Sequence, residues 1–379
     1  MSQTQSSGGP AHGAPLLEYD GKISELFGIF LLNLLLTILT LGIFRFWAIT
    51  RIRRYIWSHL RFQGTRLTYT GKGKELFVGF LLAILILGLV GAGAALIATA
   101  LAMIYAPLAI LAGIVVYIAM FVLFGAAHFS AQRYRLSRTE WRGIRGGMEG
   151  SALRYGLAWM LYLLSTIFTL YQSVPWMQVG LARRRINASR FGSAELRFGG
   201  RAGSLYLSWL ATIVGYVLLL GGIAAIVIGV EWSTLAPVFT SEVEGPAAEA
   251  RIQRAIPVIL IGVFAFSVLA GLLASWYFAR LTRLLMGNTS IVIPGALGAA
   301  RFHSTVSAGG LLWLFVGNAL IALFTLGLGL PIVLHRSIRY LVSTTRVIGQ
   351  IDANALIQST QAKPGFGEGL LQALDPGVI

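Results

Sequence analysis

The sequence predicts an all-α polytopic membrane protein with internal repeats, broken or re-entrant helices and a small cytoplasmic β-sheet. Three observations carry that expectation. Apolar residues make up 56% of the 379 and charged residues only 12%, where a soluble domain carries about 25% charged; mean hydropathy is +0.76. Apolar runs from Leu76 to Tyr105, Pro107 to Ala127, Leu205 to Val230 and Ile256 to Phe278 reach the roughly 20 residues that cross about 30 Å of hydrocarbon. Finally, a stretch of Leu, Ile and Phe three times meets a small or Pro-containing break and comes out into clustered arginines.

In chain order, residues 1–20 are polar and Gly-rich, with no basic segment ahead of a short apolar one, so they predict a disordered tail rather than a cleavable signal peptide. A single membrane domain is expected over 21–350, with repeats near 24–71, 150–200 and 307–350, and a C-terminal tail over 351–379. The first repeat runs from Asn33 through Thr40-Leu41-Gly42 to Arg51, Arg53, Arg54 and Tyr55. The second runs from Leu161 through Phe168-Thr169-Leu170 and Pro175-Trp176 to Arg183, Arg184 and Arg185, and the third from Asn318 through Thr325-Leu326-Gly327 and Pro331 to Arg336, Arg339 and Tyr340.

Charge sets the topology. The net charge of +16 lies in stretches between the apolar runs, as positive-inside loops do, which argues for topogenic charge and against nucleic acid. The linker Glu231 to Glu249 holds four glutamates and no Lys or Arg, so it is placed outside, with the basic loops and both termini inside. The runs 76–127 and 204–278 then cross and return, turning near Tyr105-Ala106-Pro107 and at the acidic linker. The second repeat has basic residues on both flanks, so a single crossing would put one of them on the wrong face. A bent hairpin that enters and leaves on the inside removes the conflict; a full span compensated by basic surface helices is the alternative. Arg45, three residues after Gly42, argues against the hairpin, because an arginine deep in the membrane is costly without a partner.

Behind the arginines, Thr65–Gly71, Ser193–Gly199, Asn288–Ile293 and Thr345–Gly349 alternate or are β-branched and mostly end in Gly, a strand signature. Lone strands leave open edges, so these four are expected to pair into a small sheet beneath the membrane. Asn33, Gln172 and Asn318 are the candidate intramembrane polar contacts, either interhelical bonds worth about 1 kcal/mol or substrate contacts. Arg51, Arg53, Arg54, Arg183, Arg184, Arg185, Arg336 and Arg339 are the candidate contacts to anionic lipid headgroups, each worth about 1 kcal/mol near such a leaflet.

The run Leu31 to Phe44, then Trp47, Arg51, Arg53, Arg54, Tyr55, Thr65-Arg66 and Tyr69 to Gly71, resembles the YjgN family of bacterial inner-membrane proteins (domain of unknown function 898). The later copies around Pro175-Trp176 and Pro331 look like the same family, and the resemblance covers nearly all of residues 18–350. Phe46-Trp47 is kept, while an arginine stands at 45 where a small residue is expected. The resemblance implies a multi-pass protein of the bacterial inner membrane, brings no catalytic residues, and suggests a membrane metallopeptidase as a protein partner.

Function is bounded mainly by exclusion. Without cysteine there is no thiol chemistry, and five scattered histidines propose no metal or other cofactor. No acidic residue lies well inside an apolar run, which argues against an enzyme and against proton coupling. Two readings remain: a transporter or channel for a lipid or other amphiphile, built on broken helices, or a non-catalytic scaffold or regulatory subunit of a membrane complex. A polar membrane-spanning cavity lined by Asn33, Gln172 and Asn318 would favour the first.

Overall fold

Each basic exit runs straight into a strand, and a second strand then leads into the next apolar helix, so the chain cycles through one supersecondary unit. The computed structural model describes residues 17–240, 245–294, 299–349 and Leu356. Over these, five β-α-α-β units follow one another. The first is β1 (Leu17–Tyr19), α1 (Ile23–Leu39), α2 (Arg45–Ser58) and β2 (Leu60–Phe62). The second is β3 (Thr65–Tyr69), α3 (Gly73–Ile104), α4 (Ala106–Ser137) and β4 (Thr139–Trp141). The third is β5 (Ile144–Met148), α5 (Ala152–Phe168), α6 (Val174–Ala188) and β6 (Ser189–Phe191). The fourth is β7 (Ala194–Phe198), α7 (Gly203–Phe239), α8 (Pro246–Gly287) and β8 (Thr289–Val292). The fifth is β9 (Ala299–Ser304), α9 (Ala308–Phe324), α10 (Leu330–Thr344) and β10 (Thr345–Ile348).

The expected small sheet and all-α class are overturned. The ten described strands form one antiparallel sheet in chain order, and β10 comes back beside β1 so that the sheet is nearly a barrel. The four expected strands are present as β3, β7, β8 and β10, but only β7 and β8 are neighbours. The others escaped sequence reading for physical reasons. β2, β4 and β6 are three residues long, too short to show a period of two, and β5 contains Gly146-Gly147 where a strand signature wants side chains. A near-closed sheet also answers the edge problem better than four strands could. Tight turns join the units: Gln63-Gly64 and Arg142-Gly143 are left-handed at both positions, which suits the twist of two-residue hairpins.

Register sorts the two faces. Leu67 pairs with Trp141 and Trp141 with Ile144; Gly146 pairs with Phe191 and Phe191 with Ala194; Leu196 pairs with Ile291 and Ile291 with Ala300. These residues share one face, where Trp141, Ala194 and Ile293 form a core that Leu356, from the C-terminal segment, joins. The other face pairs Glu140 with Arg145 and Arg190 with Glu195, and Arg190 bridges Glu149 at 2.8 Å and Glu195 at 3.2 Å.

Each helix packs on its successor, and α10 closes against α1. The apolar cores between helices each include the first turns of an ascending helix. Leu26, Tyr55, Ile56 and Ile338 join α1, α2 and α10; Phe46, Leu76 and Tyr134 join α2, α3 and α4; Val179, Leu205, Tyr277 and Leu281 join α6, α7 and α8. One strut recurs: Arg54, Arg133 and Arg183 each donate to the carbonyl of a glycine 17 residues on, Gly71, Gly150 and Gly200. It ties the foot of a descending helix to the entry of the next ascending one. Gly21, Gly71 and Gly200 each lie under the ring of the aromatic residue two positions earlier, Tyr19, Tyr69 and Phe198, and a Cβ there would meet that ring within 2.6 Å. Tyr19 also meets the His335 ring of α10 at a tilt, with centroids 5.4 Å apart, and burial pushes its phenol up to about 12.

Two hairpins are tall and three are short. α3 and α4 have 32 residues each, α7 has 37 and α8 has 42, and these four are long and apolar enough to cross a membrane. The first turns at Tyr105, whose extended backbone separates the helices. The acidic linker expected over 231–249 is mostly helical: α7 continues to Phe239 and α8 begins at Pro246, with 241–244 outside the described residues. The three repeats are hairpins, not single spans, with arms of 14 to 17 residues. A 17-residue arm is about 25 Å long. Of the expected tails, residues 1–16 and all of 351–379 except Leu356 lie outside the described residues, while Leu17–Tyr19 forms β1.

Candidate functional site

The three short hairpins share one tip. Thr40, Thr169 and Thr325 end the ascending helices, and each hydroxyl donates back to the carbonyl four residues earlier, Leu36, Ser165 and Ile321. Each also accepts the amide four residues later, Phe44, Ser173 and Gly329, at 2.9, 3.1 and 2.7 Å. The amides of Gly42, Tyr171 and Gly327 reach back to Thr37, Thr166 and Ala322. The two residues after each Thr are left-handed: Leu41 and Gly42, Leu170 and Tyr171, Leu326 and Gly327. A left-handed leucine costs about 1–2 kcal/mol, so the geometry is held by the bonds around it. The leucines point outward, 95%, 81% and 91% exposed. A turn that meets its own amides and presents leucine suits a place without water. Sequence reading places the turn at the Thr-Leu-Gly or Pro break but gives the threonine hydroxyl no role in building it.

An internal ruler gives the tip's height. Trp209, in the second turn of α7, donates its indole N–H to the Tyr171 carbonyl at 2.8 Å. The short hairpin thus ends beside the base of a tall helix, and most of α7 rises beyond it. Above the tips the two helices of a tall hairpin have mainly each other: Ile84, Leu85, Ile86 and Leu89 are exposed on α3, and Ile110, Leu111, Ile114 and Val115 on α4. The wall is therefore notched, tall at α3–α4 and α7–α8 and low at the three short hairpins, and the surface above the notches is mostly apolar, with Glu249, Gln253 and Arg254 exposed in the first three turns of α8.

The candidate polar residues stay within their own hairpins. Asn33, 3% exposed, donates to the Ala48 carbonyl of α2 at 3.4 Å, and Asn318 donates to the Ser337 hydroxyl of α10 at 3.1 Å. Gln172 lies in the tip of the second repeat. The acceptor oxygens of all three are buried without a hydrogen-bond partner. They belong to three different hairpins.

The candidate arginines divide. Arg53 is 1% exposed and bonds Tyr69 at 3.4 Å; Arg54 and Arg183 are the struts; Arg185 contacts His128 at 2.8 Å. Arg51 stacks on Phe44 at 5.0 Å, and the Arg336 guanidinium lies against Gly317. Arg184 and Arg339 point outward. A half-buried pair was missed: Glu75 accepts from Arg138 at 3.0 Å and from the Tyr134 hydroxyl at 2.6 Å, tying the start of α3 to the end of α4. Among the described residues no cluster of three His, Asp or Glu could hold a metal.

A bacterial family of unknown function, DUF898, matches residues 15–373. The "Inner membrane protein YjgN" of Salmonella typhimurium is 28% identical over 366 residues, 89% of each chain. No solved structure matches. With nearly its whole length matched, the chain belongs to the DUF898 family of bacterial proteins.

Proposed function

We propose that this protein is a passive transporter or channel for lipid or another amphiphile in the bacterial inner membrane, with the sheet and both termini on the cytoplasmic side. The observation that carries the reading is the notched wall: three short hairpins with self-satisfied, leucine-bearing tips beside two tall apolar hairpins. In a bilayer about 30 Å thick a short hairpin ends within the hydrocarbon, so acyl chains have free passage above it between the tall hairpins. A membrane thinned over such a tip lowers the distance a headgroup must travel. The inner-membrane relative and the lack of any carboxylate within the apolar runs support a passive process rather than a proton-driven one.

The test is reconstitution in liposomes carrying a fluorescent phospholipid, with a membrane-impermeant quencher added outside. Protein-dependent quenching beyond the outer-leaflet half supports lipid movement; quenching that stops at that half in protein-containing vesicles refutes it. Orientation is testable because the chain has no cysteine: Gln63→Cys in the β2–β3 turn should label only from the cytoplasmic side.

One observation favours the scaffold reading. Asn33 and Asn318 direct their donors to their own hairpins, and Gln172 lies in a third. A scaffold would leave purification in mild detergent as a stable complex, a membrane metallopeptidase being the partner class to seek, and would move no lipid in liposomes.

A further inference from the structure

The cytoplasmic end of the fourth unit holds a basic cleft that none of the candidate headgroup arginines lines. Ser204 and Leu205, in the first turn of α7, face Arg280, Arg283 and Leu284 near the end of α8, and the space between them is about 330 Å³. Small-ligand sites begin at about 300 Å³. Arg280 comes two residues after Phe278, where the long apolar run of α8 ends, so the cleft sits where the hydrocarbon gives way to headgroups.

The two guanidinium groups are differently held. Arg280 lies 4.7 Å over the Trp276 ring and donates one Nη to the buried Ser208 hydroxyl at 2.7 Å, which fixes its plane and leaves its other N–H groups for a ligand. Arg283 uses only its Nε, toward the Ala279 carbonyl at 3.3 Å, so both of its Nη groups remain. Among the described residues neither pairs with a carboxylate. This differs from the sheet, where Arg61, Arg66, Arg190 and Arg197 all have acidic partners. Two fork-shaped donors three residues apart, fixed beside a tryptophan and facing a hydroxyl, match the oxygens of a phosphate group. Leu207 is 75% exposed one turn up α7, and Phe278 is exposed just above Arg280, so an acyl chain has an apolar path away from the cleft.

We propose that the cleft of Ser204, Arg280 and Arg283 binds a phosphate-bearing anion at the membrane surface, with phospholipid headgroup and free phosphate as the two sources of that chemistry. The site deepens the lipid reading, but its occupancy does not require that lipid be moved: binding without quenching beyond the outer half would end the transport reading and leave this one intact.

Native mass spectrometry of the detergent-released full chain, titrated with phosphatidylglycerol, tests it. The Arg280→Ala/Arg283→Ala variant should retain about tenfold less lipid, the order expected for losing charge-assisted bonds, whereas Arg301→Ala/Arg346→Ala, on the outer face of the sheet, should retain as much as the parent. Ser204→Asp places a carboxylate in the cleft at a helix start that favours one, so a folded chain should bind as poorly as the double variant. A parallel titration with inorganic phosphate separates the sources. Displacement of lipid by millimolar phosphate supports a site that also takes the free anion, and lipid retention unaffected by phosphate supports the headgroup. Equal retention in all variants, or equal loss in the sheet variant, overturns the proposal.

Discussion

The short and tall hairpins are the same unit built to two heights. Both start from a strand of the sheet, pack their first turns into an aromatic core, and return to the next strand. At this level the hairpin of α1 and α2 and that of α3 and α4 are alike, down to Tyr19-Asp20-Gly21-Lys22 and Tyr69-Thr70-Gly71-Lys72 at their entries. They diverge only beyond the base, where one ends in a threonine-capped turn and the other continues for several turns of apolar helix. Tertiary fixation is therefore a property of the base, and reach into the membrane is an independent variable.

The sharpest way to break that division is to crowd a tall helix where a short hairpin packs on it and again at its top. Gly156 of α5 crosses α4 so closely that a Cβ would lie 2.1 Å from the Val122 carbonyl, whereas at Gly113, near the top of α4, nothing lies within 4 Å. Gly156→Leu should destabilise by about 3 kcal/mol or more, since overpacking a tight contact forces backbone to move, and should lower the detergent unfolding midpoint. Gly113→Leu should leave it unchanged. Equal effects would mean the upper half is packed after all.

The tips give the next largest effect. Thr325→Ala removes the acceptor of the Gly329 amide where no water replaces it, which should cost about 1–3 kcal/mol. Thr99→Ala, on tall α3, loses only a bond to the Ala95 carbonyl within an intact helix and should be neutral. Chemical denaturation of the two variants side by side reads the difference. If Thr325→Ala is also neutral, water reaches the tip and it does not end in hydrocarbon.

What could be read from the chain follows the same division. The tall hairpins and the repeat breaks were legible because length and hydropathy act over many residues, and the turn at Tyr105 lies where Tyr-Ala-Pro places it. The sheet was only partly legible. A strand such as Leu60–Phe62 carries no period of its own and exists because β1 and β3 flank it. The fivefold cycle was hidden for a related reason, since units two and four lack the Thr-Leu break and were read as plain spans. The arginines were misleading in number: their clusters mark the lower parts of the descending helices, while which of them act as struts depends on glycine carbonyls 17 residues away.

That division gives a smaller effect. Arg183→Ala removes the strut to Gly200 at 2.6 Å and should cost about 1–2 kcal/mol, as charge-assisted bonds in part-exposed positions do. Arg184→Ala, its outward-facing neighbour, should leave the unfolding midpoint unchanged and serve as the matched control. Should both cost the same, the recurring contact is incidental.

The smallest expected effect concerns the residue on which the two functional readings differ most. Asn33 donates one long bond to Ala48 and leaves its oxygen buried without a partner, so its net contribution within the hairpin is small, near the 0.6 kcal/mol average for polar contacts between membrane helices. Asn33→Leu keeps the volume and removes an unmatched acceptor, and the two terms nearly cancel. The variant should therefore unfold within about 0.5 kcal/mol of the parent. Its lipid movement should also be unchanged if passage runs over the tips, because Asn33 lies in the packed seam of its hairpin. A variant that folds normally yet moves no lipid would instead place the pathway through the seam, with the free oxygen of Asn33 as a substrate contact.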